Sequence, residues 1–277
     1  MIDSMINYFI NTPHLIKHAY HRLKSQWMWL VIPFIVSMVV LLIMMLIFKM
    51  NGTEEIKQAR GFFRLAAVMS FTYIWIAIYQ SFNTFKHDYF TGKLFNINPI
   101  FQNIIIALLF SLVMFISLIM IILATPVNIE SSVLSTLFFV AMSLVFIVVI
   151  STVLGLIAIV SNKINIIYYI VSAVMFFIVP IIFIPNTNTT LVSHILMLNP
   201  LYYLIEGISQ SVVLGTLSLN NIPQHIYFLL FLAIVCVIIY ALYRSIAHKK
   251  YSYVDSYKQQ AENETSENLE DKADENK

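Results

Sequence analysis

Six apolar stretches, nearly free of charge, alternate along the chain with short polar segments. They run Trp27–Phe48, Phe62–Phe82, Ile100–Ala124, Val133–Val160, Ile164–Ile184 and Ile226–Ile246. A bilayer core about 30 Å thick takes about 20 helical residues to cross. Each stretch reaches that length. The pattern predicts an all-α polytopic membrane protein with six transmembrane helices.

The segments between the spans carry their own signals. Thr12-Pro13 is a helix start, a capping hydroxyl followed by a proline whose missing N–H costs nothing there. From it Ile16, Ala19, Tyr20, Leu23 and Trp27 recur at helical spacing, with Lys17, His18, His21, Arg22 and Lys24 on the other face. That is an interfacial helix lying at the headgroups. The polar connector Phe85–Asn98 mixes Phe85, Tyr89 and Phe90 with Lys86, Asp88 and Lys93, and Pro99 marks the next helix start. The longest loop, Pro185–Gln224, is broken by Asn199-Pro200 into apolar halves too short to span. It predicts a re-entrant hairpin in the outer leaflet before the sixth span. Glu206, a lone acid in that hairpin, is a functional candidate, with a water-facing loop carboxylate as the plainer alternative. The last twenty residues hold seven acids, three lysines and no aromatic residue. They are expected to be disordered, having too little apolar area to offset the entropy of ordering. The expected organisation is an interfacial cytoplasmic segment over 1–26, a six-span transmembrane domain over 27–257 and an acidic cytoplasmic tail over 258–277.

Basic residues orient the spans, because cytoplasmic loops retain Lys and Arg. Lys17, Arg22, Lys24, Lys86, Lys93, Lys163, Arg244, Lys249, Lys250 and Lys258 fall on one side. Lys49, Lys57, Arg60 and Arg64 cluster at a single loop on the other, partly offset by Glu54 and Glu55. Both termini are therefore expected in the cytoplasm of a multi-pass protein of the cell membrane. Composition agrees: 60 % of the 277 residues are hydrophobic and 11 % charged, against about 25 % charged in soluble domains. The formal net charge of +2 is too small to argue for nucleic acid.

Catalytic constellations are missing from the sequence. It holds no GxxxxGK[ST] phosphate loop, no HExxH and no paired cysteines. Its one cysteine, Cys236, sits in the last apolar run. His14, His18 and His21 share a helical face, but no acid or thiolate accompanies them as a metal site would require. No acid lies at mid-membrane depth, where a self-powered transporter usually places an ionisable group. If cargo crosses this bundle, its energy is expected from another protein. The spans do carry neutral polar and aromatic stripes: Ser70, Tyr73, Ala77, Gln80 and Thr84 in the second, with Trp75 and Tyr79 close by, and Tyr168, Ser172 and Phe176 in the fifth. Such groups belong on helix–helix faces, as packing or as the lining of a path for a hydroxyl-rich substrate.

In this order of elements the chain resembles the type-2 permease subunits of ABC exporters, and most of all the polysaccharide and teichoic acid translocation permeases. The residues that carry the likeness are Leu15-Ile16 in the interfacial helix, Trp29 and Pro33 opening the first span, and the stretch Asn199-Pro200-Leu201-Tyr202-Tyr203-Leu204-Ile205-Glu206 entering the outer hairpin. The aromatic and basic run Tyr240–Tyr257 completes it. The resemblance implies a subunit without catalytic or metal-binding residues of its own. It would pair with a second copy or a paralogous permease and bind cytoplasmic ATPase subunits that hold the ATP and Mg²⁺. Phe85, Lys86, Asp88, Tyr89, Phe90 and Lys93 would then couple to the ATPase. Tyr73, Gln80, Tyr168 and Phe176 would line the path of a lipid-linked glycan in contact with membrane lipid. Asn199, Pro200, Tyr202, Tyr203 and Glu206 would build the outer hairpin. Two alternatives stand beside this: the same architecture exporting drugs, antimicrobial peptides or ions, and a membrane-embedded enzyme acting on lipids or glycans, for which Glu206, His194 and His225 are the available groups.

Overall fold

The structure, a computed structural model, describes residues 27–94, 99–126, 129–161, 163–181, 198–220 and 222–246, with a few further positions in 13–24 and 195–196. The acidic tail, the loop over 182–194 and the end of the connector at 95–98 lie outside the described residues, as do the side chains of Lys86, Phe90 and Lys93. Of the expected interfacial segment, Pro13, Ile16, Lys17, Tyr20, His21 and Lys24 are helical and exposed.

The helices are α1 (Met28–Asn51), α2 (Glu55–Leu94), α3 (Ile100–Ala124), α4 (Val133–Val160), α5 (Ile164–Ile178) and α6 (Pro200–Val213), then α7 (Ile222–Ile246). Five of them, α1, the Glu55–Phe85 part of α2, α3, α4 and α7, are long and apolar enough to cross a membrane. The described chain is helical throughout, with the character of a membrane-embedded polytopic protein.

Local chemistry sets the boundaries. Gly52, at φ 54°, takes the left-handed turn that closes α1, and Thr53 N–H donates to the Phe48 carbonyl at 3.1 Å. With so short a link, α1 and α2 fold back on each other. Ser132 caps α4 by accepting from Ser135 N–H. Asn199 caps α6 in the same manner, with Pro200 in its first turn.

Two boundaries differ from the sequence expectation. The fifth apolar stretch was expected to be helical to Ile184, but α5 stops at Ile178. Pro180 disfavours helical geometry in the residue before it, and Val179 is extended, with ψ 155°. The second difference is at the connector. Residues 85–94 are not a separate segment but the continuation of α2, which runs 40 residues, about 60 Å.

Helix α2 is the centre of the bundle, packed by α3, α4, α6 and α1. Of its apolar stretch 67 % is buried, against 11 % in α1 and 17 % in α7. Ala66, Ala67, Ser70, Ala77 and Ser81 on α2 are fully buried, and small residues let helix backbones approach closely where lipid gives no hydrophobic drive. Buried hydroxyls are largely satisfied within their own helices: Ser117 donates to the Val113 carbonyl, Ser143 to Val140 and Thr152 to Val148. A second, smaller core joins Phe85 and Tyr89 of α2 to Leu156 of α4, with Leu242 and Tyr243 of α7 against it.

Candidate functional site

The aromatic side chains of α2 recur at Phe71, Trp75, Tyr79 and Phe82, nearly one per turn, and form one stripe. Helix α5 lays Tyr168, Tyr169 and Phe176 along it. Trp75 stacks on Phe71 at 5.5 Å between ring centroids and on Tyr168 at 4.8 Å. Phe176 meets Phe71 edge-on at 5.5 Å. The Tyr168 hydroxyl donates to the Trp75 carbonyl at 2.6 Å, and Tyr169 O–H donates to the Tyr79 oxygen at 3.0 Å. Trp75 Nε1, though buried, has no hydrogen-bond partner among the described residues. The outer rim is open, since Tyr169 is 56 % exposed. The seam thus offers aromatic faces and tyrosine hydroxyls along one accessible edge.

The four residues expected to line a path separate into two groups. Tyr168 and Phe176 lie in the seam. Tyr73 and Gln80 are buried on a different face of α2, and the Tyr73 hydroxyl donates to the Leu30 carbonyl of α1 at 3.2 Å. The sequence stripe through Tyr73 and Gln80 is therefore the packing face. The aromatic stripe beside it holds the seam, and Phe71 and Tyr169 join it without having been singled out. The four-residue spacing of Phe71, Trp75 and Tyr79 was the signal available.

The segment around α6 has a buried polar centre. Helix α6 packs on α2 and α4 and buries Tyr202 and Tyr203. The Asn199 amide reaches the Met175 sulfur of α5 at 3.4 Å. At the other end of α6, the hydroxyls of Thr136 and Ser211 bond at 2.8 Å, those of Ser135 and Ser218 at 2.6 Å. Tyr203 O–H donates to His225 Nδ1, and His225 Nε2–H donates to the Leu219 carbonyl at 3.2 Å. Gly207 lies against the ring of Phe139, close enough that an added Cβ would overlap it. Together these contacts seat α6 in a slot between α2 and α4.

Glu206 accepts from Gln210 Nε2 at 2.9 Å through Oε1, and the Tyr202 hydroxyl lies beside its carboxylate. Burial pushes this carboxyl up to about 7, with the Tyr202 hydroxyl and the Gln210 amide opposing the shift. Glu206 is half-buried and sits within α6, not in a loop. Because the folded chain holds the proton more tightly than the unfolded one, stability is expected to fall as pH rises from the ordinary carboxylate range through about 7, then level off. Glu206→Gln should flatten that dependence and match the native protein at the acid end, in thermal unfolding followed by size exclusion from pH 4.5 to 8.5. A native curve that rises over this range would contradict the assignment.

At the far end of α2, three of the six side chains expected to meet an ATPase are described, Phe85, Asp88 and Tyr89, and all three are buried within the chain. Phe85 and Tyr89 are turned into the second core, with Tyr89 and Tyr243 rings 5.8 Å apart. Asp88 is buried as well, while His87 is exposed. Gly155 of α4 lies directly against the Phe85 ring. Aromatic character here reflects the anchoring of α2 to α4 and α7. Among the described residues no cluster of three or more His, Cys, Asp or Glu could hold a metal.

No family model matches the sequence, and no curated protein is significantly similar to it.

Proposed function

We propose that this chain is the membrane-spanning permease subunit of an ATP-driven exporter whose ATPase is a separate cytoplasmic protein, and that its cargo is a lipid-linked polysaccharide of the teichoic acid kind. The observation that carries the reading is the α2–α5 seam. Sugar rings present C–H faces that stack on aromatic rings and hydroxyls that bond to tyrosine. A half-open aromatic edge with Tyr79 and Tyr169 at its rim suits them without requiring charge. A second copy, or a paralogous subunit, apposed on the exposed apolar faces of α1 and α5 would close the edge into a path. In this reading α5 is the fifth of six crossings, its short helix accommodated by local thinning of the bilayer. Helix α6 is the rising limb of the outer hairpin, and both termini are cytoplasmic.

The polar groups buried in the spans formed by Glu55–Phe85, α3 and α4 are hydroxyls and amides, among them Ser70, Gln102, Asn103 and Ser111. A neutral interior suits a subunit driven from outside more than one with its own coupling proton. The contact with the ATPase falls at the cytoplasmic end of α2. Phe85 and Tyr89 hold that end to α4 and α7, and the docking role is assigned to Lys86, Phe90 and Lys93.

Purification of the tagged chain from its native membrane should recover a stoichiometric ATPase. Lys86→Glu combined with Lys93→Glu should cut that recovery by about tenfold or more, since docking energy concentrates in few contacts. A seam variant such as Tyr169→Ala should keep the ATPase bound. A native chain that brings down no ATPase, or a charge-reversed variant that brings down the full amount, would remove this reading.

A further inference from the structure

The permease reading gives no role to the groove between α1 and α2. Two adjoining cavities of about 370 and 360 Å³ share Met44, Gly61 and Arg64 and run together along the hairpin. Gly61 lets α1 come close: the ends of Phe48 and Met44 lie 2.7 and 2.8 Å from where its Cβ would stand. At the mouth, beside the α1–α2 turn, are Lys57, Arg60 and Arg64. Deeper, the walls are Val36 and Val40 of α1 and Val68 of α2.

One face of α2 changes character along its length. Lys57, Arg60 and Arg64 recur three and four residues apart, and Val68 and Thr72 continue the same line. The two hydroxyls in the groove are turned back into their helices, Ser37 to the Pro33 carbonyl at 2.7 Å and Thr72 to the Val68 carbonyl at 2.8 Å. The floor therefore presents hydrocarbon. From Lys57 to Thr72 it extends about 22 Å, more than one leaflet of a core about 30 Å thick. At the mouth, Lys57 is paired with Glu54 at 3.1 Å. Arg60 and Arg64 pair with no carboxylate among the described residues.

We infer that this groove holds an acyl chain of an anionic phospholipid of the surrounding bilayer, with the lipid phosphate on Arg60 and Arg64. Guanidinium groups match phosphate oxygens in two-pronged geometry, and the apolar floor below them fits a hydrocarbon tail. Snorkelling alone explains arginines at an interface. It does not explain the apolar furrow directly beneath them, walled by Val36, Val40 and Val68. In the proposed orientation the lipid belongs to the outer leaflet.

The test is lipid retention by the full chain, stripped in detergent, titrated with phosphatidylglycerol or phosphatidylcholine and weighed by native mass spectrometry. Phosphatidylglycerol should be retained about tenfold or more over phosphatidylcholine, the scale that two phosphate-facing cations supply. Arg60→Gln with Arg64→Gln should abolish the preference. Val68→Trp, which fills the floor and leaves both cations, should abolish retention as well. If that variant does not elute as a single species, Val40→Trp on the facing wall serves in its place. Full phosphatidylglycerol retention by the filled groove would mean headgroup attraction without a site and would overturn the inference. Equal retention of the two lipids would do so too, and tighter binding of a polyprenyl phosphate would assign the groove to the exported substrate instead. ATPase recovery is read separately, so failure here and failure of the permease reading are distinguishable.

Discussion

An added methyl group at Gly207 is expected to destabilise the folded bundle by about 1–3 kcal/mol, the range for overpacking a filled interior. The reason is specific. Gly207 lies against the ring of Phe139, with no room for a Cβ, and Phe139 is itself buried. The ring is held from its other sides by Phe138 and Tyr203, at 5.3 and 5.8 Å, so it has nowhere to rotate. Helix α6 would have to lift out of its slot, straining the Thr136–Ser211 and Ser135–Ser218 bonds at its end. Thermal unfolding of purified Gly207→Ala measures the loss. Shrinking the ring should relieve it: Gly207→Ala placed on Phe139→Leu should be less destructive than the two changes summed, with a coupling of about 1 kcal/mol or more. Strict additivity would show that the contact is not what limits position 207.

Tyr168→Ala should cost more, about 3–5 kcal/mol, the range for deleting a buried aromatic side chain. Tyr168 is the side chain through which α5 reaches α2. It stacks on Trp75, lies 4.9 Å from Phe82 and donates to the Trp75 carbonyl. Tyr168→Phe keeps the rings and removes one hydrogen bond, for about 1 kcal/mol. Stability and transport should separate at the rim. Tyr169→Ala removes an exposed ring and should leave unfolding nearly unchanged while lowering export of labelled glycan. If Tyr169→Ala exports normally while Tyr168→Ala merely unfolds, the seam is packing and the glycan path must lie elsewhere.

Much of this architecture is legible in the sequence because bilayer length and apolar run length are the same quantity. Ile100–Ala124 and Val133–Val160 are helices with the ends that hydropathy gave them. Hydropathy fails where a helix continues through charge. Helix α2 begins at Glu55 and passes Arg60 and Arg64 before reaching its apolar centre, then continues through Lys86 and Asp88. Backbone hydrogen bonds do not stop where the side chains turn polar. The opposite failure occurs at Pro180, inside a run whose apolar character was uninterrupted. The site divides similarly. That Glu206 deserved notice was visible from its isolation. That its Oε2 would be shut off from water depends on how α6 sits against its neighbours, and no spacing rule contains that. Likewise, both stripes on α2 were present in the sequence, but which faced α5 and which faced α1 was decided by packing.

The unbroken length of α2 has a mechanical consequence. No proline interrupts its 40 residues, and kinks in helices need such a cause. It therefore behaves as a rod, and the motion left to it is tilt. The close seat of Phe85 against Gly155 lies toward one end of that rod and is a natural fulcrum. Residues 86–94 form the short arm and the stretch from Phe82 back to Glu55 the long one. A push on the short arm would then pass to the long one as a single rigid tilt, carrying the aromatic stripe and the α1 hairpin with it.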